Sequence, residues 1–129
     1  MRRLYQRPDD FVATICILRP DEGGRAKPPH NGIRWDFNYA SEPTSAGIYM
    51  IWPDFFDANG DSFPLDESLP VDQELSARMF VVSDSDDMLA IHRRRIEVGT
   101  PFYCCEGPNR VAKGQVTAIT GLLDPRGEA

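Results

Sequence analysis

The sequence predicts a single all-β domain in which short strands form an antiparallel barrel or sandwich. Several short segments are rich in β-branched and aromatic residues, turn signals separate them at close spacing, and no long segment has the helical period of about 3.6 residues. The 129 residues suffice for one domain with its own core. We therefore expect one β-barrel domain over residues 1–129, with its core at about 10–123.

The first half of the chain predicts three strands. Residues 11–18 are rich in β-branched side chains and end at a turn-forming run, Arg19-Pro20-Asp21-Glu22-Gly23-Gly24. Residues 33–39 alternate between apolar and polar side chains, as a half-buried strand does. Residues 47–52 form another short strand, and Asn59-Gly60 is a hairpin signal. Residues 64–73, with prolines and acids, indicate a connection.

The second half predicts three more strands. Residues 77–82 form one, and the acidic residues 83–88 form a turn with room for one helical turn. The polar segment 92–97 leads to Gly99. Residues 102–106 and 111–123 are the last two strands, linked by Gly107, Pro108 and Asn109. Residues 124–129 have the composition of a frayed, flexible tail.

Charge and hydropathy limit the classes of partner that we expect this protein to bind. Asp and Glu number 20 against 14 Lys and Arg, for a formal net charge of -6. This balance opposes non-specific nucleic-acid binding, which depends on neutralising phosphates, and it suits a basic protein partner. The longest apolar run, residues 11–18, is far shorter than the roughly 20 residues of a membrane helix. We therefore expect a cytoplasmic protein with no membrane partner.

Two segments carry a resemblance to the C-terminal (third) β-barrel domain of translation elongation factor Tu. The first runs from Glu22-Gly23-Gly24-Arg25 to Gly32-Ile-Arg-Trp-Asp-Phe37, and the second from Gly99-Thr-Pro-Phe102 through Glu106-Gly107 to Gly114-Gln-Val116. Both occur in the family's order and spacing. The matching residues are Glu22, Gly23, Gly24, Arg25, Pro28, Gly32, Arg34, Phe37, Gly99, Phe102, Glu106, Gly107, Val111, Gly114 and Val116.

The resemblance covers about residues 10–123 and implies a six-stranded antiparallel Greek-key barrel. In elongation factor Tu this domain contacts the T stem of aminoacyl-tRNA and packs against the GTPase domain. Ala26 and Asp36 stand where the family has His and Gln, and an aspartate repels phosphate. The charge balance and these two positions disfavour tRNA, so a protein partner is the expectation. The candidate binding residues are Arg25, Lys27, His30, Glu106, Gly107 and Arg110.

An alternative basic patch consists of His92, Arg93, Arg94 and Arg95. It has two interpretations: an anchor for phosphate or an acidic partner, or a solvated strand edge whose charges discourage edge-to-edge pairing. A structural role for His92 is also consistent with the resemblance, since related barrels carry a His ahead of the equivalent Gly.

No segment predicts catalysis, a cofactor or a metal. The chain lacks the Gly-rich phosphate loop of nucleotide-binding proteins, so GTP hydrolysis is not expected. Asp54, Asp57, Asn59 and Asp61 do not have the ligand spacing of a calcium loop, and a hairpin explains them better. His30 and His92 are far apart in sequence, which argues against zinc. Three cysteines, two of them adjacent, make a poor disulfide framework.

The sequence therefore predicts a non-enzymatic module that binds a macromolecule through residues 23–32 and 106–110. One alternative is an immunity or antitoxin-like protein, because an acidic inhibitor is steered rapidly onto a basic toxin. A second alternative is a small-ligand protein that uses the barrel mouth. A homodimer formed through the hydrophobic hairpin is a further hypothesis.

Overall fold

In the computed structural model, which describes residues 1–82 and 85–126, six strands form one antiparallel sheet. The strands are β1 (Phe11–Ile17), β2 (Asp36–Tyr39), β3 (Ile51–Phe56), β4 (Glu74–Val81), β5 (Pro101–Glu106) and β6 (Asn109–Ile119). Their order in the sheet is β2-β5-β6-β1-β4-β3. The all-β prediction is therefore confirmed, with the sheet curled into a half-barrel.

The two edge strands of the sheet approach each other across a short seam. Phe37 in β2 and Tyr49, just before β3, exchange two backbone hydrogen bonds of 2.8 Å each. Strand β3 contains Pro53, which is tolerated because an edge strand has one unpaired side. The Asn31 side chain covers part of that side by accepting a hydrogen bond from Phe55 N (2.9 Å) and donating one to Phe55 O (3.1 Å).

The concave face of the sheet is filled with apolar and aromatic side chains. In β1, alternate residues are buried from Phe11 to Ile17. The rings of Phe37 and Phe102 stack at 4.6 Å, while Tyr39 and Phe11 meet Phe37 edge-on. These side chains form the hydrophobic core on the inside of the half-barrel.

A helix, α1 (Asp86–Arg95), connects β4 to β5, whereas the sequence predicted at most one helical turn, within residues 83–88. Residues 92–95, interpreted as a strand edge or a phosphate anchor, form its last turn. Only Leu89 and His92 are buried on this helix, so its apolar stripe is too narrow to give a clear periodic signal. Ser85 caps the start by accepting a hydrogen bond from Met88 N at 3.3 Å. Residues 83 and 84 of the predicted turn lie outside the described residues.

Several strand boundaries differ from the prediction, and β2 and β4 begin at residues 36 and 74 rather than 33 and 77. The third strand spans Ile51–Phe56 rather than 47–52. Pro53 is tolerated because this is an edge strand, and the buried Asp54 is hydrogen-bonded to polar side chains. The last strand ends at Ile119, and residues 120–122 turn back to bond residues 9 and 10. Of the predicted tail, residues 127–129 lie outside the described residues. Within residues 1–82 and 85–126, no helix has the length and apolar character needed to span a membrane.

Candidate functional site

The loop after β1 begins with a single 3₁₀ turn, Pro20–Glu22, which ends at Gly23. Gly23 has φ 95°, a left-handed conformation that an L side chain rarely adopts. Its neighbour Gly24 packs so closely that a Cβ atom there would lie 2.2 Å from Leu18 O. The paired glycines therefore set the path of residues 23–32, which we call the double-glycine loop.

The hairpin between β5 and β6, residues 106–110, is the second candidate segment and is called the Glu-Gly turn. Glu106 and Asn109 pair across a two-residue connection. Gly107, the first of the two connecting residues, has φ 58°, and a type II′ turn favours glycine at that position.

Arg25 and Glu106 connect the double-glycine loop to the Glu-Gly turn. Arg25 Nε lies 2.5 Å from Glu106 Oε2. The same oxygen accepts a hydrogen bond of 2.8 Å from the indole Nε1 of Trp35, whose side chain is buried. A carboxylate held by both a guanidinium and a buried N–H has a well-defined position. The two predicted segments are therefore neighbours on one surface, which we call the two-loop surface.

Arg110 lies on this surface, and its Nε and Nη2 atoms are hydrogen-bonded within the chain itself. Its Nε and Nη2 donate to Asn38 Oδ1 at 3.0 and 2.8 Å, and Nη2 also donates to Glu42 O at 2.7 Å. Its guanidinium carbon lies 4.0 Å from the centroid of the Tyr103 ring. Beside it is a shallow depression of about 370 Å³, lined by Gly23, Pro43, Thr44, Pro108, Asn109 and Arg110.

Lys27 and His30 are both exposed on the double-glycine loop. The Lys27 carbonyl accepts a hydrogen bond of 3.1 Å from Arg25, while its ammonium group has no partner among the described residues. The backbone of His30 bridges to Ser68, at the end of the long connection before β4. The structure thus brings Arg25 to Glu106 but shows neither Lys27 nor His30 in contact with the Glu-Gly turn.

Asp36 stands at a position where the resemblance implies that a tRNA contact of the family is lost. It pairs with Cys105 across β2 and β5. Burial raises the pKa of Asp36, although Trp52 nearby acts in the opposite direction. The buried indole Nε1 of Trp52 forms no hydrogen bond of ordinary geometry with the Asp36 carboxylate. An acidic group thus stands beside the two-loop surface, and it does not favour a phosphate backbone.

The alternative basic patch is dispersed by the helix rather than gathered into one surface. Arg93 donates to the carbonyls of Leu122 (2.8 Å) and Asp124 (2.6 Å). Arg95 pairs with Glu42 and lies 3.7 Å above the Tyr39 ring. Arg94 is exposed, whereas His92 is buried. Of the two interpretations, the solvated strand edge is wrong, because residues 92–95 form the last turn of α1. Three of these four side chains contact neighbouring segments.

His92 lies in a pocket of aromatic rings. Its Nδ1 is 2.6 Å from the Tyr39 hydroxyl, and the Tyr49 ring meets it edge-on at 4.9 Å. Burial, and secondarily the Arg95 charge, lower the pKa of His92 to about 4. Burial also raises the pKa of Tyr39. At neutral pH the imidazole is therefore uncharged, and its tautomer sets the direction of the hydrogen bond between Nδ1 and the Tyr39 hydroxyl.

The lowered pKa of His92 predicts acid destabilisation. Its ordinary pKa of 6.5 is expected in the unfolded chain. As pH falls from 6.5 towards 4, the unfolded state binds a proton that the folded state resists. This stabilisation is complete above the unfolded pKa and is lost as pH falls to the folded pKa, by about 3 kcal/mol.

Denaturant unfolding at several pH values measures this loss, and His92→Phe is the comparison because it cannot titrate. The difference in stability between wild type and His92→Phe should shrink as pH falls through this range. NMR titration of the ring protons, assigned with His30→Gln, reads the His92 pKa directly. A value near that of a free imidazole would contradict the prediction.

A buried polar network around Asp54 was not predicted as such from the sequence. Asp54 Oδ1 accepts a hydrogen bond from Asn31 Nδ2 (2.9 Å), and Oδ2 accepts from Ser62 Oγ (2.8 Å) and Arg78 Nη1 (3.2 Å). The Asp57 carboxylate caps the turn before Ser62 by accepting from the backbone N–H of Asn59 and Asp61. The hairpin interpretation of these acids is thus supported by their hydrogen bonds.

Reactive groups are scarce in the part of the chain that the structure describes. Cys104 and Cys105 are both buried, and burial raises the pKa of each thiol, which disfavours the nucleophilic thiolate. Within residues 1–82 and 85–126, no group of three or more His, Cys, Asp or Glu side chains could hold a metal ion.

The two-loop surface offers a fixed shape and fixed hydrogen-bonding groups. The chain matches no protein-family model, and it has no match among the curated proteins searched.

Proposed function

We propose that this chain is a non-enzymatic binding module, built on a barrel of the elongation factor Tu third-domain type and without GTPase activity. Its partner is a protein, and its binding site is the two-loop surface. The ion pair between Arg25 and Glu106 carries the proposal, because it makes one surface out of the two segments on which the resemblance rests.

The rigidity of this surface supports a binding role. Glu106 is held by Trp35 and Arg25, and Arg110 is held by Asn38 and Glu42 O. Side chains already fixed in place lose little conformational entropy when a partner binds. Gly107, Pro108 and Asn109 are exposed between these anchors and are free to contact a partner.

The charges of the surface favour a protein over tRNA. Arg25 and Arg110 are already paired with Glu106 and Asn38, so Lys27 is left as the cation available to a phosphate. Tight nucleic-acid binding usually needs several phosphate contacts. A net charge of -6 adds long-range repulsion.

A second candidate function, neutralisation of a basic toxin, is favoured by one charge pattern. Residues 35–77 contain no Lys, Arg or His. The acidic residues in this range are Asp36, Glu42, Asp54, Asp57, Asp61, Asp66, Glu67, Asp72 and Glu74. Asp66, Glu67 and Glu74 are exposed and have no cationic partner among the described residues. An acidic surface of this kind speeds association with a basic protein.

Charge reversal tests the two-loop surface. Lys27→Glu changes its charge without breaking an internal contact, and Arg25→Glu also breaks the pair with Glu106. Arg94→Glu, on the exposed side of α1, is the matched control because it makes the same charge change elsewhere. Quantitative pull-down followed by calorimetry on the purified partner should show about a tenfold or greater loss for the two loop variants, typical of an interface hot spot.

Three outcomes separate the candidates. Equal binding by the wild type and both loop variants would exclude the two-loop surface. Loss of a basic partner on Asp66→Lys and Glu67→Lys, with Lys27→Glu binding normally, would select the toxin-neutralising function instead. Binding of purified tRNA at physiological salt, weakened by Lys27→Glu, would replace the protein partner with RNA.

A further inference from the structure

A cleft of about 560 Å³ lies where residues 7–10 meet residues 121–126. Its charged lining consists of Arg7, Asp9, Asp10, Asp124 and Arg126. The Asp10 side chain lies at its base and is 0% exposed. None of these residues belongs to the two-loop surface, so a binding role for the cleft is independent of the function proposed for that surface.

The Asp10 carboxylate is bound differently at its two oxygens. Oδ2 accepts hydrogen bonds from the backbone N–H of Val81 (2.7 Å) and from Arg7 Nη2 (2.9 Å). Oδ1 accepts from Arg126 Nη1 at 2.5 Å. The Arg126 side chain is 40% exposed and belongs to the last residues that the structure describes. The guanidinium of Arg126, which lies in the segment after β6, therefore occupies the solvent-facing side of the buried Asp10 carboxylate.

The walls of the cleft are held by contacts that do not involve Arg126. Gly121 N donates to Asp9 O at 3.0 Å, and Leu122 N donates to Asp10 O at 3.0 Å. Arg93 of α1 then holds the following segment through the carbonyls of Leu122 and Asp124. The cleft should therefore keep its shape when Arg126 leaves.

We propose that this cleft is a binding site for the guanidinium group of an arginine side chain on a partner protein, and that the chain's own Arg126 occupies it in the unbound state. The planar, multiply donating guanidinium suits a buried carboxylate better than the compact lysine ammonium does. Because Arg126 is tethered to the chain, it competes with the partner's arginine at an effective concentration in the millimolar range. A partner that makes additional contacts can bind tightly enough to displace it. The net charge of -6 also draws basic segments to the protein.

The test is a titration of ¹⁵N-labelled full-length chain with N-acetyl-arginine amide, for the wild type and Arg126→Ala. The variant is expected to bind in the millimolar range, with shifts at Val81, Gly121 and Leu122, and the wild type at least about fivefold more weakly because its own arginine competes. N-acetyl-citrulline amide, which has the same shape but no charge, should give no saturable shift. N-acetyl-lysine amide should bind more weakly than the arginine probe.

Asp10→Asn in the Arg126→Ala background should abolish the shifts while the remaining spectrum stays folded. If that variant unfolds, the citrulline comparison decides. Absence of saturable shifts in Arg126→Ala, or equal shifts with citrulline, would overturn the proposal.

Discussion

Replacing Asp54 by alanine is expected to lower the free energy of unfolding by about 3–5 kcal/mol, because it leaves a buried arginine without its counter-ion. Arg78 is 5% exposed at its side chain and bonds Asp54 at 3.2 Å. Its guanidinium also lies 4.5 Å above the Phe56 ring, which provides no compensating charge.

The network also holds the start of the chain against the sheet. Leu4 N donates to Asp54 Oδ2 at 3.2 Å and to Ser62 Oγ at 3.0 Å. Removing the carboxylate therefore leaves the Ser62 hydroxyl without its acceptor, in addition to the unpaired charge, and an unsatisfied buried group is costly. We expect the segment before β1 to lose its amide protection in hydrogen exchange before the rest of the sheet does.

Chemical denaturation of single and double variants isolates the charge effect. Asp54→Asn keeps hydrogen-bond acceptors and should be less destabilising than Asp54→Ala. The double variant Asp54→Ala with Arg78→Met removes both charges, and it should be less unstable than the sum of the single changes by about 1–2 kcal/mol. Asp66→Ala, at an exposed acid, is the control and should change stability by less than about 0.5 kcal/mol. Simple additivity would show that the pair is not coupled.

Replacing Gly114 by valine is expected to destabilise the fold by about 3 kcal/mol and to lower Tm by about 10 °C. Gly114 in β6 pairs with Phe102 in β5, and a Cβ atom at Gly114 would lie 2.4 Å from Phe102 Cζ. The Phe102 ring cannot move aside easily, because it is stacked on Phe37. Gly114→Ala should have a smaller effect, because alanine adds only the Cβ atom whereas valine adds two further methyl groups next to the Phe102 ring.

Thermal unfolding followed by circular dichroism measures both substitutions. Lys113→Ala, at the adjacent exposed position of the same strand, is the control and should leave Tm nearly unchanged. In a double variant, Phe102→Leu should recover part of the loss caused by Gly114→Val, because it removes the ring that the new side chain meets. If Phe102→Leu makes no difference, the clash is not the cause of the instability.

Local sequence patterns predicted the strands best where one face of the sheet is buried. In β1 the alternation of side chains corresponds directly to their burial, whereas in β2 Asn38 is buried beside Phe37 and Tyr39. The pattern failed to predict the extent of β3, because Pro53 and Asp54 have low strand propensity and are stabilised in the strand by tertiary contacts. The helix α1 was missed because only two of its residues face the core. Its capping Ser85 and charge order, acidic first and basic last, were the available signals.

In the candidate site too, some features could be predicted from the sequence and others could not. Glycine and proline positions specify local backbone turns, so the double-glycine loop and the Glu-Gly turn could be located without coordinates. Which side chains meet across them could not be read from the sequence, and the pair between Arg25 and Glu106 depends on the arrangement of the strands. The same arrangement buries His92 and disperses the basic patch.

By itself, the sequence determined an all-β domain, the positions of its principal turns and an acidic surface, since each of these follows from nearest-neighbour backbone preferences or from composition. Only the tertiary structure decided how far the sheet curls, which polar groups are buried around Asp54 and Asp10, and that Arg126 lies over a buried carboxylate. Those features join residues far apart in the chain, and their energies depend on burial and geometry that exist only once the sheet has formed.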